Sequence, residues 1–219
     1  MRRHGETWMP GIDALPNDGE GRVGDGPPLG GAAWRAACGL FPPDNLHRAQ
    51  LSAVFPGYPK SDPDESDASQ RFRRNRGAAH LDGLLPIGQD RRRHLREAHA
   101  WILGIALSEV TSGTAPLVVW EGSHRIIRAT FEQAFKDEPP EKWAEIDLTE
   151  IYQAARRQVF QSCVRRPVPL SPGGSVLLHR HLIHGVAPWQ SQTHPDPMGR
   201  VIAYFQPDFS RASDWLDKP

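Results

Sequence analysis

The chain has 219 residues, 38% apolar and 24% charged, and its 26 Lys plus Arg balance 26 Asp plus Glu to a net charge of zero. No global field draws it to nucleic acid or anionic lipid, and no apolar run approaches the roughly 18 residues of a membrane span, so small-molecule partners are expected. Gly5 to Pro16 holds no apolar stretch of the kind a secretory signal needs, which makes the cytoplasm the expected location, and Cys38 and Cys163 lie in no zinc or Cys-x-x-Cys spacing and read as reduced thiols.

Residues 1 to 31 are rich in Gly and Pro and read as loop able to wrap a domain. A short helix is predicted over Ala32 to Gly39, and a strand over Gln50 to Phe55 that stops at Pro56-Gly57. The acidic, turn-rich stretch 61 to 68 and the basic run Arg71, Arg73, Arg74, Arg76 read as an exposed connection placed to act as a lid. Trp101 to Val110, Pro116 to Trp120, Val176 to Leu178 and Val201 to Phe205 are β-leaning runs bounded by Gly or Pro. Between them a helical insert is predicted over Ala129 to Asp137 and Leu148 to Cys163, split by Pro139-Pro140, with Thr149 as a candidate N-cap. Strands grouped around one helical excursion, without βα alternation, predict a mostly antiparallel sandwich or barrel.

His80-Leu81-Asp82 places an imidazole and a carboxylate two residues apart, on one side of an extended backbone, where a single cation touches both. The third ligand must come from elsewhere, and His179-Arg180-His181-Leu182-Ile183-His184-Gly185 is the obvious donor. Two His and one carboxylate on one face of an octahedron leave three positions open, the arrangement of non-haem iron(II) oxygenases. His179 and His181 share a strand parity that His184 does not.

Four segments resemble the phytanoyl-CoA dioxygenase family of iron(II)/2-oxoglutarate oxygenases: His80-Leu81-Asp82-Gly83, Trp101 to Leu107, Pro116 to Arg125 including Glu121-Gly122-Ser123-His124, and Gly173-Gly174-Ser175 through His184-Gly185 to Arg200. The resemblance implies a mostly β double-stranded β-helix (jelly roll, cupin-like) with flanking helices and a helical insert. It also implies one domain over 1–219, residues 1–75 wrapping a core of 78–206. His80, Asp82 and His184 are then the catalytic metal ligands for Fe(II), His184 being picked out by its apolar-His-Gly context. Arg200 holds the far carboxylate of 2-oxoglutarate, for which a planar guanidinium is suited. Trp101 matches a residue near that cosubstrate, although a core aromatic is an equal reading, and Gln50 is a candidate for the pocket wall.

The activity implied is hydroxylation of a small organic substrate with O2, releasing succinate and carbon dioxide; a carboxylate at Asp82 leaves no room for halide. His179 and His181 are expected to be neighbours of the ligands or structural, His124 structural, and His94, His99 and His194 surface or core residues. Arg91, Arg92, Arg93 and Arg96 read as a solvated loop, with an anionic substrate as the alternative. Two other classes remain: a cupin-like metalloenzyme using zinc, manganese or iron without 2-oxoglutarate, and a non-catalytic metal- or ligand-binding protein on the same scaffold.

Overall fold

The structure is a computed structural model describing residues 2–191 and 199–218. In chain order the strands are β1 (Trp8–Gly11), β2 (Gln50–Val54), β3 (Leu84–Ile87), β4 (Arg92–Leu95), β5 (Trp101–Ala106), β6 (Leu117–Trp120), β7 (Arg165–Val168), β8 (Ser175–His179), β9 (His184–Val186) and β10 (Arg200–Phe205). The helices are α1 (Ala32–Leu40), α2 (Asp67–Arg76), α3 (Ser123–Ala134), α4 (Thr149–Ser162) and α5 (Asp214–Asp217), with a 3-10 turn over Pro140–Glu145. Among the described residues none of these helices is long and apolar enough to cross a membrane.

All strand pairs of the three sheets are antiparallel: a five-stranded sheet ordered β1-β2-β10-β5-β8, a three-stranded sheet ordered β7-β6-β9, and the β3-β4 hairpin. Side chains alternate across each strand, so one face of each sheet can meet the other. Ile102 and Leu178 of the larger sheet pack with Leu117 and Val119 of the smaller, and half-buried Tyr204 and Val176 join them. The opposite faces are covered by helices: Trp101, Leu103, Phe205, Val118 and Trp120 share a second cluster with Ile127 and Phe131 of α3 and Tyr152, Ala155 and Val159 of α4.

Several predicted elements shift. The first 75 residues supply β1 and β2 to the larger sheet as well as loops; β1 is an edge strand, where Pro10 removes no needed ladder bond. The charged stretch after residue 61 is not an open connection, because Ser66 Oγ caps α2 by accepting the Ser69 N–H at 3.3 Å. Asp67 in its first turn and Arg73, Arg74 and Arg76 in its last suit the helix dipole. The segment is also tied down, Arg73 pairing with Glu65 at 3.1 Å and Asp62 accepting the backbone N–H groups of His4 and Gly5. α3 begins six residues earlier than its apolar spacing suggested. Thr149 does not cap α4 as expected: Asp147 Oδ1 accepts its N–H at 2.9 Å, and the Thr149 hydroxyl oxygen accepts the Arg93 N–H at 2.7 Å.

Two glycines allow the crossings that build the site. Gly83 follows Asp82 at φ 83°, and a Cβ there would strike the Glu97 carbonyl oxygen. Gly185 follows His184 where the strand passes directly over the backbone of Gly77 to Ala79, and a Cβ would collide with the Gly77 carbonyl oxygen. Both obstacles are backbone, which cannot swing aside. Gly185→Ala is expected to cost about 2–3 kcal/mol in chemical denaturation and to displace His184; an unchanged unfolding midpoint would contradict this close crossing.

Candidate metal centre

In the β6-β9 register Val119 stands opposite His184. Val119 lies in the cluster between the sheets, so the His184 imidazole projects inward too. His80 forms an isolated antiparallel bridge to His184, exchanging two backbone bonds of 2.8 and 3.1 Å. The bridge brings together two residues a hundred positions apart, and Asp82 follows two residues on. Side chains of the insert hold both segments: Tyr152 OH accepts the Leu81 N–H at 2.9 Å, Arg156 donates to the Ala79 carbonyl at 3.3 Å, and Ser123 Oγ accepts the Ile183 N–H at 2.9 Å.

Potential ligand atoms of His80, Asp82 and His184 all lie within 4.8 Å of one another. His80 Nε2 is 3.1 Å from Asp82 Oδ1, and His184 Nε2 is 3.4 Å from Asp82 Oδ2. Each Nδ1 lies 2.9 Å from a carbonyl, of Ala78 and of Leu182, and donates its hydrogen there, which turns Nε2 of both rings toward the carboxylate. Burial disfavours charge on Asp82, but His184 and His80 outweigh it and hold the carboxyl well below the usual carboxylate range. Burial likewise opposes charge on His184, and Asp82 overrides it, raising the imidazole. Two imidazoles and a carboxylate converging in this way suit Fe(II), Mn(II), Co(II) or Zn(II). The side chain of His184 is 7% exposed and that of His80 49%, so the centre opens on the His80 side.

Arg200 opens β10 and is fully buried. Its guanidinium has no carboxylate partner among the described residues: Nη1 donates to Ser52 O at 3.4 Å and Oγ at 3.2 Å, Nη2 donates to Tyr204 OH at 3.5 Å, and Nε has no partner. A buried cation with only long bonds to neutral groups is costly, by several kcal/mol, unless an anion joins it. Along β10, Arg200, Ile202 and Tyr204 share one face. Tyr204 senses both charges: burial raises its phenol, Arg200 opposes that rise, and Asp82 adds to it. Gln50 stands opposite Tyr204 and shares the parity of Ser52, so it lies on this face.

Other expected site residues lie elsewhere. Trp101 is not on this wall: its Nε1–H donates to the Phe41 carbonyl at 2.9 Å and its ring packs edge-on against Trp34, on the helix-covered face opposite Ile102. It is a core aromatic. His181 is fully buried against Trp215, and burial, ahead of the nearby Arg180 charge, pushes it down to about 2, which leaves it a neutral core residue. His179 lies between the rings of His124 and His181, pushed down to about 4 mainly by burial. Arg92 pairs with Asp147 and Glu150 on the surface, Arg93 donates to the Leu84 carbonyl, and His94 is half-buried on β4. His194 lies outside the described residues. A separate cavity of about 290 Å³, lined by Arg74, Val118 and Arg165 among others, lies on the helix side of the smaller sheet and involves none of the triad.

Gln206 escaped the sequence, as did the ion pairs of His99, which was expected as a surface or core residue and is buried. Gln206, just past β10, donates Nε2–H to Asp82 Oδ2 at 2.5 Å across 124 positions, for which no local signal exists. His99 lies 2.7 Å from Asp208 and 3.4 Å from Glu97. Burial opposes its charge, yet these carboxylates, with Asp82 adding, hold it up at about 9.

No protein-family model matches the chain, and no curated protein sequence matches it. Among solved structures it is similar to the non-heme alpha ketoglutarate dependent carbocyclase SnoK from nogalamycin biosynthesis, at 19% identity and TM-score 0.36 over 58% of this chain and 41% of that one. It is also similar to AviO1 from Streptomyces viridochromogenes Tue57, at 18% identity and TM-score 0.33 over 61% and 43%. Asparagine oxygenase (AsnO) matches at 15% identity and TM-score 0.36 over 79% and 61%. The chain spans less than half the length of SnoK and AviO1.

His184→Ala is expected to abolish divalent-cation binding in calorimetric titration, while His181→Leu retains it; the reverse ranking would move the third ligand. For His99, the folded pKa of about 9 lies above the ordinary 6.5. Its ion pairs therefore add stability in full below pH 6.5 and lose it as pH rises through about 9. Urea unfolding from pH 6 to 10 should show the wild-type advantage over His99→Asn shrinking; a constant difference would contradict it.

Proposed function

We propose that the chain is an Fe(II)- and 2-oxoglutarate-dependent oxygenase that hydroxylates a small organic substrate, on a double-stranded β-helix like that of the phytanoyl-CoA dioxygenase family. The observation that carries this reading is Arg200, a fully buried guanidinium without a carboxylate partner among the described residues, on the face of β10 from which Tyr204 senses Asp82. A cupin-like metalloenzyme that uses the triad alone gives Arg200 nothing to hold.

Each part of the wall has a task in this scheme. His80, Asp82 and His184 would hold the metal. Arg200, with Ser52 and Tyr204 beside it, receives the far carboxylate through two parallel charge-assisted bonds, which fixes both place and orientation. Ile102, Val119 and Leu178 keep the space between the sheets dry, so those charged contacts are not screened. The half-exposed His80 side is where substrate approaches. When bound, iron and 2-oxoglutarate supply with O2 an oxidative decarboxylation, giving succinate and carbon dioxide, that drives hydroxylation of a C–H bond.

Iron-loaded protein in air is expected to form succinate from 2-oxoglutarate. Arg200→Ala should raise the 2-oxoglutarate concentration required by about 30-fold or more, the loss of about 2 kcal/mol for a buried charge pair, with metal content near wild type. No succinate from wild type, or an unchanged 2-oxoglutarate requirement in the variant, would sink the proposal.

A further inference from the structure

A carboxylate at a metal centre can bind through one oxygen or two, and the choice decides how many positions remain. Bidentate binding by Asp82 would take a fourth position and leave two; one-oxygen binding leaves three. The two Asp82 oxygens are not equivalent here. Oδ1 is 3.1 Å from His80 Nε2 and carries no hydrogen bond from Gln206, whereas Oδ2, 3.4 Å from His184 Nε2, also accepts the Gln206 Nε2–H at 2.5 Å. An ionised carboxylate only accepts, so the contact requires the amide N–H, and the orientation of the Gln206 amide is determined.

Gln206 is itself held from behind. Its carbonyl oxygen is 3.0 Å from Nε2 of His47, and the next residue's carbonyl, that of Pro207, accepts the Ala100 N–H at 2.7 Å. The donor therefore projects from a backbone pinned on two sides, just past the strand whose first residue is Arg200.

We infer that Gln206 is a positioning residue that occupies the second oxygen of Asp82 and restricts it to one-oxygen ligation, keeping three metal positions open. The inference rests on the oxygenase reading, in which the metal would need room for both 2-oxoglutarate and O2. In Gln206→Leu the second oxygen loses this amide donor and would be free to turn to the metal. Losing a hydrogen-bond donor behind a ligand typically lowers metal affinity by about 10- to 100-fold.

The test is titration of the metal-free protein with Co(II), a probe whose visible absorption reports coordination number, read for affinity and spectrum. Gln206→Leu is expected to bind about 10- to 100-fold more weakly and with an altered cobalt spectrum, while its metal-free melting temperature matches wild type. Gln206→Met, closer in length to the native side chain, guards against a packing defect and should behave alike. If wild type binds cobalt, His184→Ala does not, and both Gln206 variants keep wild-type affinity and spectrum, the role of Gln206 is overturned alone. If wild type itself binds no cobalt, the metal-centre reading falls and takes this role with it.

Discussion

The pair of backbone bonds between His80 and His184 is the constraint on which the rest depends. It is a main-chain contact, so the imidazoles are brought together by the path of the chain before any side chain chooses a rotamer. Gly185 makes the path possible, since only a residue without Cβ passes this close to the carbonyl of Gly77. The insert then stabilises the crossing from outside: Ser123 at the head of α3 and Tyr152 within α4 each take a backbone N–H beside a prospective ligand. What reads along the chain as an interruption between strands is the support of the site.

Around this crossing the fold maintains two charges of opposite sign that burial disfavours. Asp82 stays ionised because two imidazoles face it, and among the described residues Arg200 donates only to neutral groups, Ser52 and Tyr204. Each is costly alone, and folds usually tolerate such groups where a ligand completes them. A cation at one end and a carboxylate at the other would compensate both.

Legibility in the sequence follows the range of each interaction. His80 and Asp82 could be read because a two-residue spacing on extended chain is local, and β5, β6, β8 and β10 because apolar β-branched runs bounded by Gly or Pro are local as well. His184 needed its His-Gly context, whose physical reason, the crossing over Gly77, appears only in three dimensions. Trp101 kept two equal readings, and the structure gives the core aromatic, because the face of β5 that meets the smaller sheet depends on the pairing of the sheets, not on β5. α2 was missed because charges were read as exposure, although the Ser66 cap and the sorting of Asp67 from Arg73, Arg74 and Arg76 were there to see. Gln206 meets Asp82 across 124 positions and left no trace in spacing.

The most direct measurement is anaerobic: iron(II) protein titrated with 2-oxoglutarate and followed by visible absorption. The account predicts a metal-to-ligand charge-transfer band that saturates at one equivalent and is absent in His184→Ala. Iron bound at this centre with no band on adding 2-oxoglutarate would contradict it and leave the triad as a metal site of another kind.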